Sequence, residues 1–387
     1  MTIPNITEQK NWFESNPKKT IAFIVIFGFL IIDFSLAAAL KIVGVFKPSY
    51  VTSNVREAYY RRADPVYHHG LKKNISNYIA EWGKQDYRVD TNSLGFKDNG
   101  NQHVPLESKH KRIIVIGDSF TEGMAIPFDK TFAGLLKNNF KQYNVDVLNA
   151  AASSYSPIIY YRKIKYLIET VGLKFDSVVV LIDLSDAEDE ALGYRFDKDE
   201  NVISQGSAAN LGAAESKHSA KPKNIKQPMT VKDFFTQYTY FLGQLRNLSA
   251  YLKAKTRSWE RGLKQRRAMW TMDKSLYNEF GEKGLTIGAK HMLQLKNLLD
   301  KQQISLTVVV YPWPDQIYND DFESKQVNFW YNWSRKNKVE FINLFNAFVP
   351  TTTAEETIRK YYINGDVHWN EVGHKRVFQV LKTRLQP

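Results

Sequence analysis

Residues 111–116, 145–148, 177–182 and 304–310 are short, almost wholly apolar runs rich in Val, Ile and Leu, separated by stretches of helical pattern. Runs of this length are strands, and an unbroken apolar run is a strand buried on both faces. Helical patterns over 131–140, 158–170 and 289–300 stand between or beside them, and 339–342 reads as a further strand. A strand that returns through a helix to the same sheet must be parallel to its predecessor, and the crossover is right-handed. The chain is therefore expected to be α/β, a three-layer sandwich with a parallel sheet.

In such sheets reacting groups gather at the carboxyl ends of the strands. The first run ends at Gly117-Asp118-Ser119, and far downstream Asp366-Val367-His368-Trp369-Asn370 supplies an acid and an imidazole just before an amphipathic helix. A serine hydroxyl is a poor nucleophile near neutral pH and needs a base held by a third group. Ser119 as nucleophile, His368 as base and Asp366 as its orienter make a candidate triad. The surroundings of Ser119 are not Gly-x-Ser-x-Gly, which excludes the α/β-hydrolase elbow. Asn370 suits the N-cap of the last helix, whose expected apolar face is Val372, Val377, Phe378, Leu381 and Leu385. His374 is the rival imidazole, expected on the solvent side. Tyr311-Pro312-Trp313-Pro314 follows the 304–310 strand, and its prolines would hold an exposed indole as a stacking wall. Asp118, Trp313 and Trp369 are the expected substrate contacts.

Gly117-Asp118-Ser119 with Thr121, the preceding Thr91-Asn92-Ser93-Leu94-Gly95-Phe96, and Asp366-x-His368-Trp369-Asn370 resemble the SGNH/GDSL hydrolase superfamily. The Asp-x-His spacing and the apolar N-terminal segment are more similar to its membrane-linked branch of polysaccharide O-acetyltransferases and the D-alanyl transfer protein of teichoic acids. The resemblance implies a serine O-acyltransferase or O-acylesterase acting on a cell-envelope polysaccharide, with a multipass acyltransferase partner supplying the acyl group. It also implies three oxyanion donors, which fall here on Ser119, Ser154 and Ser185. Serine at the last two positions departs from the family's glycine and asparagine, and Ser185 shortens the donor. A non-catalytic envelope protein that binds glycan or scaffolds an assembly is the alternative.

The segment 21–40 is almost wholly apolar and long enough to cross a bilayer. Ala37-Ala38-Ala39 resembles a cleavage site, but the polar stretch before Ile21 favours an uncleaved anchor. Asp33 inside it is expected either to meet a polar group on the multipass partner or to lie hydrated near an interface or protonated. The expected organisation is a tail over 1–19, an anchor over 20–45, an irregular connector over 46–105 and a catalytic domain over 106–387 with an insertion at about 197–285. The protein is placed as a single-pass membrane protein with this domain outside the cytoplasm. With no cysteine, disulfides, thiolate metal sites and a cysteine nucleophile are excluded. A formal charge of +13 suits an anionic neighbour, but no nucleic-acid-binding motif accompanies it, so nucleic acid is not an expected partner. Neither a phosphate loop, a dinucleotide fingerprint nor metal-ligand spacing is visible, and no cofactor or metal is expected.

Overall fold

The computed structural model describes residues 11–42, 59–83, 85–205, 239–241 and 258–385. Its contacts divide into two units. The smaller holds helix α1 (Pro17–Ile42), of which Pro17–Leu40 is, among the described residues, the one helix long and apolar enough to cross a membrane. Most of its large apolar side chains are exposed, whereas Asp33 is fully buried. A carboxylate in an apolar helix must find donors, since each lost polar contact there is costly. Asp33 finds them in its own chain: Oδ1 accepts the backbone N–H groups of Tyr240 and Phe241, each at 2.6 Å, and Phe29 packs on the Phe241 ring. Among the described residues the Asp33 carboxylate thus has donors from its own chain. Asp33→Leu is expected to speed chymotryptic cleavage at Tyr240 and Phe241, read by mass spectrometry. Unchanged cleavage would show that the contact does not hold this segment.

The larger unit runs β1 (Arg61–Asp64), β2 (His68–Leu71), β3 (Tyr78–Trp82), β4 (Gln85–Thr91), β5 (Lys97–Asp98), β6 (Lys111–Ile116), α2 (Ser119–Glu122), α3 (Phe132–Phe140), β7 (Val145–Asn149), α4 (Pro157–Tyr166) and β8 (Ser177–Ile182). It continues through β9 (Tyr194–Phe196), β10 (Val202–Ser204), α5 (Glu282–Lys301), β11 (Ser305–Val310), α6 (Lys325–Asn337), β12 (Glu340–Asn343), α7 (Ala354–Tyr361) and α8 (Glu371–Arg384). Eight strands form the central sheet in the order β12-β11-β8-β6-β7-β5-β4-β3. The five from β12 to β7 are parallel, and their Val, Ile and Leu side chains are the centre of the core. Helix α3 packs with α8, and α4 with α5, to complete the layers.

In chain order the parallel strands lie 2-1-3-4-5, so the connection reverses direction at β6, and the switch opens a crevice beyond its carboxyl end. Gly117 makes the turn there possible: a Cβ on it would come within 2.2 Å of Thr121 Oγ1. Asn370 caps α8 as expected, accepting from the amides of Val372 and Gly373. Val372, however, is exposed, and His374 takes its expected place inside, fully buried with Nδ1 accepting the Phe132 amide. Burial lowers His374 to about 3, so it stays neutral.

Residues 61–98 are not the irregular connector expected from composition. β1 and β2 form a hairpin, and β3, β4 and β5 extend the sheet antiparallel from β7. Of the expected insertion at about 197–285, β10 pairs with β9, and residues 206–238 and 242–257 lie outside the described residues.

Candidate active site

Ser119 opens α2 just after β6, where first-turn amides have no acceptor within the helix. His368 sits in the loop before α8, which is closed by the Tyr362–Trp369 bridge and by bonds between Ile363, Asp366 and His368. The structure brings the three expected residues together. His368 Nε2 lies 2.8 Å from Ser119 Oγ, and His368 Nδ1 lies 2.5 Å from Asp366 Oδ1, which also accepts the His368 amide at 2.9 Å. Burial alone would raise the Asp366 carboxyl, but the charge of His368 and the bonds from His368 and Trp82 outweigh it and hold the group well below the usual carboxylate range. An ionised carboxylate only accepts, so Nδ1 carries its hydrogen toward Asp366, and in the neutral imidazole Nε2 is then the acceptor facing the serine hydroxyl. That is the protonation needed for Nε2 to take the Ser119 proton.

Sequence reasoning missed Trp82. Its Nε1–H donates to Asp366 Oδ2 at 2.8 Å, and its ring meets the His368 ring edge-on, with Phe120 against His368 as well. The Asp366 carboxylate is thus pinned through both oxygens. Trp82→Phe keeps the ring and removes the donor, a hydrogen bond to a charged group. It is expected to lower kcat on a small ester about tenfold with KM unchanged. An unchanged kcat would mean that His368 alone orients Asp366.

Glu122, also missed, lies at the other end of α2. It pairs with Arg61 of β1 at 3.1 Å and accepts the Ser153 amide at 2.7 Å, tying the nucleophile's helix to the loop after β7. Lys97 Nζ donates to the carbonyls of Gly123 and Ile126, and Asn149 Nδ2 to that of Thr121.

The three expected substrate contacts are buried: Asp118 is 4 % exposed, Trp313 6 % and Trp369 0 %. Trp369 packs among Phe120, Tyr311 and Phe348, and Trp313 turns its Nε1–H inward to Asp183. Ser185 is corrected as an oxyanion donor: its amide and its hydroxyl both go to Asp183 Oδ1, at 2.7 and 2.5 Å. Ser154 sits in a left-handed conformation (φ 63°), its carbonyl taken by Tyr194 Oη, in the loop that Glu122 holds.

Asp118, Asp183 and Asp186 offer carboxylate oxygens all within 4.8 Å of one another. Asp183 accepts from Ser185 twice, from Tyr311 Oη at 2.6 Å and from Trp313 Nε1 at 2.9 Å, a full set of donors for an ionised carboxylate. Burial first, and then the charge of Asp183, pushes the Asp118 and Asp186 carboxyls well up.

No family model and no curated protein matches the chain. Among solved structures it is similar to a GDSL-like lipase from Bacteroides thetaiotaomicron (12% identity, 73% of this chain and 91% of that one, TM-score 0.35). It is also similar to TesA (8% identity, 72% and 99%, TM-score 0.38) and to a lipolytic protein of the G-D-S-L family from Veillonella parvula (12% identity, 70% and 96%, TM-score 0.36). TM-scores of this size decide nothing about activity, and the chemistry rests on the geometry above.

Proposed function

We propose that the protein is a serine acyl-transfer enzyme in which Ser119 forms an acyl intermediate, His368 moves the proton and Asp366 orients and charges the imidazole. The observation that carries this reading is the continuous bond chain Ser119 Oγ, His368 Nε2, His368 Nδ1, Asp366, Trp82 Nε1 at the end of a buried parallel strand. The hydroxyl oxygen attacks the ester carbonyl as its proton passes to Nε2, and the same proton leaves with the alcohol. Water or a sugar hydroxyl then resolves the acyl-enzyme, giving hydrolysis or transfer. The finer reading is an O-acyltransferase or O-acylesterase anchored by α1, with its domain outside the cytoplasm, acting on an envelope polysaccharide and served by a multipass acyl donor. What supports it is the apolar span Pro17–Leu40 together with the motif resemblance.

One observation favours a non-catalytic glycan-binding role: both hydrogens of Ser185 are engaged by a carboxylate, which leaves the oxyanion site a donor short. Labelling of the purified protein with a fluorophosphonate separates the two. Adduct on Ser119, with release of acetate from an acetyl ester, supports the enzyme; a protein that stays unlabelled and inert is a binding module. Adding acetylated and free oligosaccharide then shows whether water or sugar is the acceptor.

A further inference from the structure

We propose that His69 of β2 is a positioning residue for acyl transfer: its imidazole N–H holds and polarises the Ser153–Ser154 peptide, whose own N–H is a donor to the oxyanion. The inference rests on the acyl-transfer reading and adds a part that nothing local announces, since His69 lies 84 positions from the carbonyl it holds.

The loop over 150–155 follows β7, the parallel neighbour of β6, so it lies at the same end of the sheet as Ser119. Most of its backbone is tied down. Lys163 Nζ donates to the Ala150 carbonyl, the Tyr155 amide to that of Ala152 and Tyr194 Oη to that of Ser154, while the Ser153 amide goes to Glu122. Among the described residues the N–H groups of Ala152 and Ser154 make no hydrogen bond; Ala152 is fully buried, whereas Ser154 is partly exposed and open to a ligand. With both hydrogens of Ser185 spent on Asp183, the Ser154 amide supplies the donor that the site lacks. A planar trans peptide turns its N–H away from its carbonyl, so an imidazole on the Ser153 carbonyl leaves the Ser154 N–H uncovered on the other side.

The hydrogens of the imidazole follow from its partners. Nε2 lies 2.7 Å from the Ser153 carbonyl, which only accepts, so Nε2 carries the hydrogen. Burial, helped by the charges of Arg61 and Lys163, lowers half-buried His69 to about 4, and the neutral ring then has Nδ1 as its acceptor. His68 Nδ1, 2.7 Å away, is therefore the donor, and His68 Nε2 lies 2.8 Å from Ser204 Oγ at the end of β10. The tautomer of His69 is thus fixed from behind. Hydrogen bonds in series polarise one another, which strengthens the last bond and, through the peptide, the Ser154 N–H.

The backbone is bent to build this chain. Successive side chains of a strand point to opposite faces, so adjacent rings do not ordinarily meet. His68 is left-handed (φ 76°), which breaks the alternation and brings the two Nδ1 atoms together. Left-handed residues other than glycine thus stand at both ends, His68 and Ser154, and such strain persists only where the surroundings hold it. Tyr155 Oη, donating to the His69 carbonyl at 2.6 Å, ties the loop to β2 a second time.

The test uses the full-length protein, with labelling of Ser119 by a fluorophosphonate checked first. His69→Phe keeps a ring and removes the donor: kcat on a small acetyl ester should fall about tenfold with KM unchanged, less than the roughly hundredfold that loss of a whole oxyanion donor costs. A trifluoromethyl ketone, which binds as the serine hemiketal oxyanion, should lose affinity by the same factor as kcat/KM falls. A side chain that only supported the fold would lower Tm and leave those two factors unmatched. His69→Gln, able to present an N–H to the same carbonyl, should restore most of the rate. His68→Asn, suited to left-handed backbone, removes the imidazole that fixes the tautomer and should lower kcat by about twofold or more. Wild-type kcat in His69→Phe, no recovery in His69→Gln, or a loss without matching weakening of the ketone would overturn the inference and leave Ser119 as the nucleophile. A wild-type protein that takes no label would overturn it together with the reading on which it rests. Should His69→Phe fail to fold, the same comparison of kcat/KM with ketone affinity in His68→Asn decides it.

Discussion

Ser119→Ala is expected to lower turnover of a small acetyl ester by about a thousandfold or more, the scale on which removing one member of a serine triad acts. The side chain sits 2.8 Å from His368 Nε2 and is almost wholly enclosed, so exchanging a hydroxyl for hydrogen changes chemistry and little else. Far-UV circular dichroism and Tm should match the wild type. Members of a triad act as one unit, so Ser119→Ala with His368→Ala should be scarcely slower than Ser119→Ala alone. Rates that multiply would mean that the two side chains work independently, and an active Ser119→Ala protein would remove the nucleophile from the scheme.

Glu122→Ala should give the largest loss of stability. It removes the buried carboxylate that pairs with Arg61 and faces Lys97, and breaking one partner out of a buried pair costs about 3–5 kcal/mol. At about 2–4 °C for each kcal/mol in a domain of this size, Tm should fall by on the order of 10 °C. Activity should fall too, because the Ser153 amide loses its acceptor and the loop carrying Ser154 is released. Replacing the pair with apolar residues, Arg61→Met with Glu122→Leu, should recover much of the stability and little of the rate. The pH dependence has a definite sign. Burial would raise Glu122, but Arg61 and Lys97 outweigh it and lower the group. Its contribution is therefore present above the ordinary glutamate value of about 4.3 and lost as pH falls through the lower folded value. Acid unfolding of Glu122→Gln should lack this component, and an acid limb unchanged from wild type would remove Glu122 as its source.

The parallel core was legible because β6, β7, β8 and β11 are buried on both faces and so carry unbroken apolar runs. β3 and β4 were not. They lie at an antiparallel edge, where exposure alternates and Gln85, Asp86 and Arg88 face out, so the stretch reads as polar and irregular. Trp82 was lost with them, since nothing local marks an indole whose partner is 284 residues away. Ser119, Asp366 and His368 were readable because a strand end and a helix cap announce them. The inward turn of Asp118 and Trp313 was not legible, because a residue after a strand end can turn inward as readily as outward. Ser185 was expected to face an oxyanion, and its bonds to Asp183 are visible only in three dimensions.

The separation of 249 positions between Ser119 and His368 also sets an order in time. Synthesis runs from the amino end, so the hydroxyl emerges long before the imidazole that would draw off its proton. A nascent or truncated chain that stops short of Asp366 carries a serine no more reactive than any other. The chain is its own safety catch, released when the last helix docks.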